Sequence, residues 1–213
     1  MTTGAGWRAP PTWTGVSGSE TIPAMDWTRL TRLWAWPGRN RSARARWEYI
    51  GRSAPDAAFI MDGSTGEIDL RRNGARMAAL FRDALDIGPP DRLLEVGCGG
   101  GRVTRELAPA TGPYTAADIS RTLLRRARSR TRHLSNVSFV HLPDTDPDPL
   151  AGLPDTAFDR LICHLVLLHV PEPQVRRLLT GFARVLAPDG RAYLDLWNAG
   201  HPDSAALAAR ESS

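Results

Sequence analysis

The apolar positions change rhythm along the chain. Residues 1–25 show neither a helical nor a strand period, and residues 26–46 mix tryptophan with Gly, Pro, Ser, Thr and Arg. This N-terminal extension, residues 1–46, is expected to be largely disordered. From Trp47 onward the pattern becomes regular. In RRNGARMAALFRDALDI, Met77, Leu80, Phe81, Ala84 and Leu85 recur at helical spacing, and Gly88-Pro89-Pro90 predicts where that helix stops. Short apolar runs then alternate with helical ones. Strands are predicted at Arg92–Val96, Tyr114–Asp118, Val137–His141, Phe158–Cys163 and Arg191–Trp197. Helices are predicted at Arg102–Ala108, Ser120–His133 and Glu172–Leu186. In the last of these Val175, Leu178, Leu179, Phe182, Val185 and Leu186 share one face, and Pro188-Asp189-Gly190 makes the turn out. Strand and helix in this order predict an α/β fold, a doubly wound, mostly parallel sheet with helices on both faces.

Composition narrows the picture. A chain of 213 residues holds one good-sized domain plus an extension. The hydrophobic fraction of 42% and charged fraction of 23% are those of an ordinary globular protein. There is no apolar run long enough to span a membrane and no apolar segment behind a basic start, so a cytoplasmic protein is expected. Cys98 and Cys163 are far apart, which fits a reducing compartment and argues against a disulfide framework or a cysteine zinc site. Met25 offers an alternative start site.

Charge argues mainly by exclusion. All 27 basic residues are arginine, and the net charge is only +4. Phosphate tracking needs a concentrated basic face, so nucleic acid is not the expected partner. The arginines of GRNRSARAR, residues 38–46, lie near Trp34 and Trp36, where they could form a membrane-surface or RNA-binding arm. A solvated linker is the reading preferred here.

The concentrated chemistry lies in LLEVGCGGGRVTRELA, residues 93–108, with four glycines in five positions after a strand and before a helix. In an open parallel sheet, ligands bind beyond the carboxyl ends of the strands. Glycines there permit a tight turn and close approach of a ligand. A dinucleotide G-x-G-x-x-G counted from Gly97 would need glycine where Arg102 stands, and a P-loop needs a lysine that the chain lacks. The Asp144, Asp146, Asp148 run is no EF-hand, because Pro149 replaces the required glycine and no glutamate stands at the twelfth position.

Glu95-x-Gly97-x-Gly99-x-Gly101 instead resembles the first motif of the class I S-adenosylmethionine-dependent methyltransferases, of the bacterial small-molecule type. Other segments follow in the family's order. These are TAADIS with Asp118, 21 residues beyond Gly97; LPDTAFD, like the approach to the fourth strand; His169-Val170-Pro171; and FARVLAPDGRAYLDLW, like the turn before the fifth. WEYIGRSAPDAAFI and Gly74 look like the family's lid. The resemblance spans residues 47–197 and implies a Rossmann-like fold with S-adenosyl-L-methionine as cofactor. It implies a helical lid over 47–90 and a cofactor-binding domain over 91–213.

On that resemblance Glu95, Gly97, Cys98, Gly99, Gly101, Asp118, Ile119, Asp144 and Cys163 are the expected cofactor-binding residues. Asp118 would hold the ribose diol and Asp144, with Asp146 as the other choice, the adenine amino group. No metal site is expected. His169 is the candidate base, since it follows the fourth strand and titrates near neutral pH. His164 is read as lining the pocket. The family sheet runs 3-2-1-4-5-7-6, and the 16 residues after Trp197 leave no room for two more strands. A sheet truncated after its fifth strand is therefore expected, with an open edge on which two copies could pair as a homodimer. The implied function is methyl transfer to a small-molecule acceptor. The alternative is a catalytically degenerate cofactor-binding protein acting as a partner or regulatory subunit.

Overall fold

Leu93 and Leu94 are adjacent in one strand and must face opposite sides of it. The two hydrophobic cores of the protein grow from that alternation. The structure, a computed structural model, describes residues 42–55, 57–58, 63–144 and 148–196. The expectations for residues 1–41, Asp146 and the tail from Trp197 onward lie outside the described residues.

The described chain runs α1 (Ala43–Ile50), α2 (Glu67–Leu85), β1 (Leu93–Val96), α3 (Arg102–Leu107), β2 (Tyr114–Asp118), α4 (Arg121–Arg130), β3 (Val137–His141), β4 (Phe158–Cys163), α5 (Glu172–Val185) and β5 (Leu186–Leu194). Single 3₁₀ turns follow α3 at Ala108–Ala110 and β4 at Leu167–His169. The strands form one parallel sheet in the order β3-β2-β1-β4-β5, which is the doubly wound Rossmann-like arrangement. β1 is central and wholly buried; β5 is an outer strand among the described residues.

Leu93 packs with Phe81 and Leu85 of α2, Val103 of α3 and Leu124 of α4 on one face. Leu94 packs with Leu161 and Cys163 of β4 and with Phe182 and Val185 of α5 on the other. α2, α4 and α5 each offer a stripe at helical spacing, such as Leu70, Gly74, Ala78, Phe81 and Leu85 along α2. Gly74 is where α2 meets α3. A Cβ built there would stand 2.6 Å from the Arg102 carbonyl oxygen. Alanine is worth about 1 kcal/mol more than glycine inside a helix, but forcing an atom into a filled contact costs about 1–3 kcal/mol. Gly74→Ala is therefore expected to destabilise by up to about 2 kcal/mol net, lowering Tm by up to about 8 °C in a thermal melt.

Asp159, the acidic residue of the F-D pair, ties two strands together. Its carboxylate accepts from the Arg92 backbone N–H at 2.9 Å and from the Arg92 guanidinium at 2.9 and 3.0 Å. The bonds from Arg92 hold its carboxyl well below the usual range, at about 2. The motif pins the start of β4 to the start of β1.

Three boundaries differ from expectation. α1 begins at Ala43, inside the segment expected to be a solvated linker, with the Ser42 hydroxyl accepting from Ala45 N. α2 stops at Leu85 because Asp86, not Gly88, turns left-handed, with φ 53°. β5 starts at Leu186 rather than Arg191, and Phe158 pairs with Leu186 while Arg160 pairs with Arg191. Pro188-Asp189-Gly190 is thus an irregularity inside the strand, not a turn before it.

Candidate functional site

The carboxyl ends of β1, β2 and β4 open into a cavity of about 320 Å³, within the size range of small-molecule sites. Its floor is the turn after β1. Gly97, Gly99 and Gly101 all have positive φ, at 78°, 54° and 78°, a region that a Cβ disfavours. The turn is laid onto β2. Gly97 N and Cys98 N both donate to the Ala117 carbonyl, at 2.7 and 3.0 Å, and Gly99 N donates to Asp118 Oδ2 at 2.9 Å.

The space left by two of these glycines is taken by the protein itself. A Cβ at Gly97 would lie 2.1 Å from Val166 Cγ2, and one at Gly101 would lie 2.9 Å from Ala127 Cα. Close ligand approach was the expected reason for the glycines. At 97 and 101 the reason is internal, packing of the turn against the segment after β4 and against α4.

Asp118 is 6% exposed at the end of β2 and lines the cavity. Oδ2 holds Gly99 N, and Oδ1 accepts from Ser120 N at 2.8 Å. Burial pushes its carboxyl up to about 6, against the backbone N–H groups of Ser120, Gly99 and Ile119, which favour the ionised form. With three backbone donors on it, the carboxylate still has acceptor capacity for a donor in the cavity. Glu95 also lines the cavity, but its Oε2 accepts from Thr104 Oγ1 at 2.5 Å and Tyr114 Oη at 2.8 Å. Burial raises its carboxyl. Those bonds fix the carboxylate beneath the turn and couple β1 to α3 and β2.

Cys98, Ile119 and Asp144 line the cavity as expected, and His169 stands in its wall. Cys163 does not. Its side chain is fully buried in the core formed with α5, and burial pushes the thiol far above its ordinary range. The outward-facing position is the next one, His164.

Other residues at the site, Arg102, Ala43, Asp195 and Leu165 among them, were not assigned from the sequence, while Trp47 lay at the start of the expected lid. Arg102 is only 7% exposed, lines the cavity and exerts an attractive pull on Glu95; its place beside the glycine turn was the available signal. Trp47 and Ala43 bring α1 over the cavity, and the Trp47 ring meets His169 edge-on at 5.4 Å. Burial, helped by Arg46, depresses the His169 imidazole below its usual value. Asp195 accepts a hydrogen bond from His164 Nδ1, a pairing that only the strand register reveals. Leu165, between these elements, has φ 57° and borders the cavity.

α1 is held down at its far end by Glu48. That carboxylate accepts from Arg121 N at 2.7 Å, from Thr122 N at 3.0 Å and from the Thr122 hydroxyl, at the N-terminus of α4. Burial raises its carboxyl, but these bonds overcome it and hold Glu48 below its usual range. A carboxylate capping a helix N-terminus contributes about 0.5–2 kcal/mol. Glu48→Ala is expected to release α1. Hydrogen exchange should then quicken at residues 43–50 while the amides of β1 and β2 stay protected.

A family model described as "Methyltransferase domain" matches residues 93–190, the sheet together with its glycine turn. The methyltransferase GfsG of Streptomyces halstedii is 35% identical over 147 residues, covering 67% of this chain and 51% of that protein. The ubiquinone biosynthesis O-methyltransferase of Xanthomonas oryzae pv. oryzae is 32% identical over 107 residues, covering 50% of this chain and 43% of that one. The chain thus spans about half the length of these curated relatives. Among solved structures, N-methyltransferase NodS of Bradyrhizobium japonicum, in complex with S-adenosylhomocysteine, superposes with a TM-score of 0.55 at 23% identity over 70% of each chain. Phosphoethanolamine N-methyltransferase 1 of Haemonchus contortus, solved with phosphoethanolamine and S-adenosylhomocysteine, gives 0.56 at 19% identity, covering 70% of this chain and 30% of that one.

Proposed function

The chain belongs to the class I S-adenosylmethionine-dependent methyltransferase superfamily, and we propose on that premise that it transfers the methyl group of S-adenosylmethionine to a small-molecule acceptor. The observation that carries the reading is the left-handed glycine turn hydrogen-bonded to a buried carboxylate at the mouth of a cavity of ligand size. The turn and Asp118 fit a ribosyl group, because a sugar hydroxyl can donate to the acceptor capacity the carboxylate retains. Asp144, at the end of the segment after β3, is the residue proposed to meet the adenine. Gly97, Cys98 and Gly99 would face the ribose and amino-acid portion.

S-adenosylmethionine, when bound, supplies an electrophilic methyl group on a positively charged sulfur. The residues around it have three tasks: to hold that group in line with an acceptor, to exclude water, and to accept the acceptor's proton where one must be lost. α1 with Trp47 is the proposed lid, so the lid segment includes residues upstream of 47. His169 contributes to the lid seat through its edge contact with Trp47.

Calorimetric titration with S-adenosylhomocysteine and with NADH tests the class. Binding of the first and not the second is expected, and binding of NADH alone would overturn the proposal.

A further inference from the structure

Cys163 and Leu194 are paired across β4 and β5, so the next residues, His164 and Asp195, emerge side by side at the carboxyl ends of neighbouring strands. His164 Nδ1 is hydrogen-bonded to Asp195 Oδ2, and the same oxygen accepts from Leu165 N at 2.8 Å. The His164 ring is wedged edge-on against Phe81 of α2 and Tyr193 of β5, with centroids 5.2 and 6.2 Å away. Its side chain keeps 16% of its surface exposed, and the residue lines the same cavity as Gly97 and Asp118. An imidazole so fixed, with Nδ1 donating to a carboxylate, carries its lone pair on Nε2.

We propose that His164, held by Asp195, is the base that removes the proton from the acceptor, and that the acceptor is an alcohol or a phenol. This rests on the methyl-transfer reading above. An amine can attack through a free lone pair without a base. A hydroxyl is almost fully protonated at neutral pH, so a base in contact with it contributes roughly 10²–10⁴-fold. In the step, the acceptor oxygen bonds to the methyl carbon as the carbon–sulfur bond breaks. The broken bond's electron pair stays on sulfur and cancels its positive charge. The hydroxyl proton passes to His164 Nε2, and Asp195 balances the imidazolium until water takes the proton. Asp195 is a positioning residue; through the Leu165 N–H it also holds Leu165 in its left-handed conformation, which a non-glycine residue disfavours.

The groups bearing on His164 come from every side. Asp195 and Tyr193 lie on the β5 side and Cys163 on β4, while Glu95, Arg102, Asp118 and His169 share the cavity, and α2 presents Phe81 to the ring. Asp195 is in hydrogen-bond contact with it, so removal of that charge should move the histidine.

The experiment is a nuclear magnetic resonance titration of the full chain labelled at histidine and saturated with S-adenosylhomocysteine, for wild type, Asp195→Asn and His164→Asn. The Nδ1–H tautomer of His164 is expected, titrating lower in Asp195→Asn, where the partner carboxylate is lost. In parallel, phenols, aliphatic alcohols and primary amines are offered with S-adenosylmethionine, and release of S-adenosylhomocysteine is followed. Hydroxyl compounds should be methylated. His164→Asn should lower kcat by roughly 10²–10⁴-fold with KM little changed, and S-adenosylhomocysteine affinity should stay within about threefold, as a base that does not hold the nucleoside requires. An Nε2–H tautomer, methylation of amines alone, or a loss of rate in His169→Asn but not in His164→Asn overturns the proposal. Failure of the wild type to bind S-adenosylhomocysteine overturns the methyltransferase reading instead, and the two failures are distinct.

Discussion

Gly97→Ala is expected to abolish measurable S-adenosylhomocysteine binding and to lower Tm by several degrees. Two costs add at this position. The backbone is left-handed, with φ 78°, which costs an alanine about 1–2 kcal/mol. The new methyl would also stand 2.1 Å from Val166 Cγ2. No rotamer of alanine can relieve that contact, so either the turn or the segment after β4 must move. Overpacking of this kind costs about 1–3 kcal/mol more. The turn also carries Gly99 N to Asp118, so a shift reaches the proposed ribose contact directly. Val166→Ala in the same chain removes the Cγ atoms but leaves Val166 Cβ 3.3 Å away. It should restore part of the melting temperature and leave the backbone strain. Equal binding by wild type and Gly97→Ala in calorimetry would show that the turn does not shape the site.

This contact marks a limit of sequence reading. Four glycines in five residues announced an unusual turn, and the strand before it and helix after it placed that turn at a binding edge. What fills the space beside Gly97 depends on Val166, 69 residues away, and no local pattern encodes that meeting. β2, β3 and β4 lie where expected because each is a short segment with apolar, β-branched or aromatic positions bounded by turn residues. β5 was misplaced because Pro188-Asp189-Gly190 carries strong turn chemistry. The sheet accommodates it as a local irregularity between Phe158 and Arg160 pairing.

α1 was hidden for a different reason. Among its described residues only Ile50 is buried, so ARARWEYI has no apolar stripe to read. Its place is set by long-range contacts instead, Glu48 on the N-terminus of α4, Ile50 and Trp47 packed with Leu123 of α4, and the Trp47 ring on His169. The His164–Asp195 pair was equally invisible. The two residues are 31 apart in sequence and become neighbours only through the β4–β5 register. Asp118, by contrast, was legible from its position at the end of the second strand. The sequence could not disclose how deeply it is buried, and that depth governs its chemistry.

That burial gives the second large prediction. With its carboxyl raised to about 6, Asp118 is protonated in the native protein over a range where the unfolded chain, with an ordinary value near 3.8, has already ionised. The native state then holds the extra proton, so the contribution of Asp118 to stability is present below about pH 4 and is lost as pH rises to about 6. The binding trend has the opposite sign. A ribose diol donates to the ionised carboxylate, so affinity for S-adenosylhomocysteine should rise as pH climbs through about 6 and level off above it, with up to a tenfold change per unit below the midpoint. Asp118→Asn should remove both trends. It keeps the shape but replaces one acceptor oxygen with an amide donor, facing either Gly99 N or Ser120 N, each itself a donor. Loss of a hydrogen bond to a charged group, at about 1.5–3 kcal/mol, weakens binding roughly 10- to 150-fold. Calorimetry between pH 5 and 8, with circular dichroism confirming the fold at each point, measures both effects. A wild-type affinity independent of pH, matched by Asp118→Asn, would mean that the buried carboxylate serves only the turn and not the nucleoside.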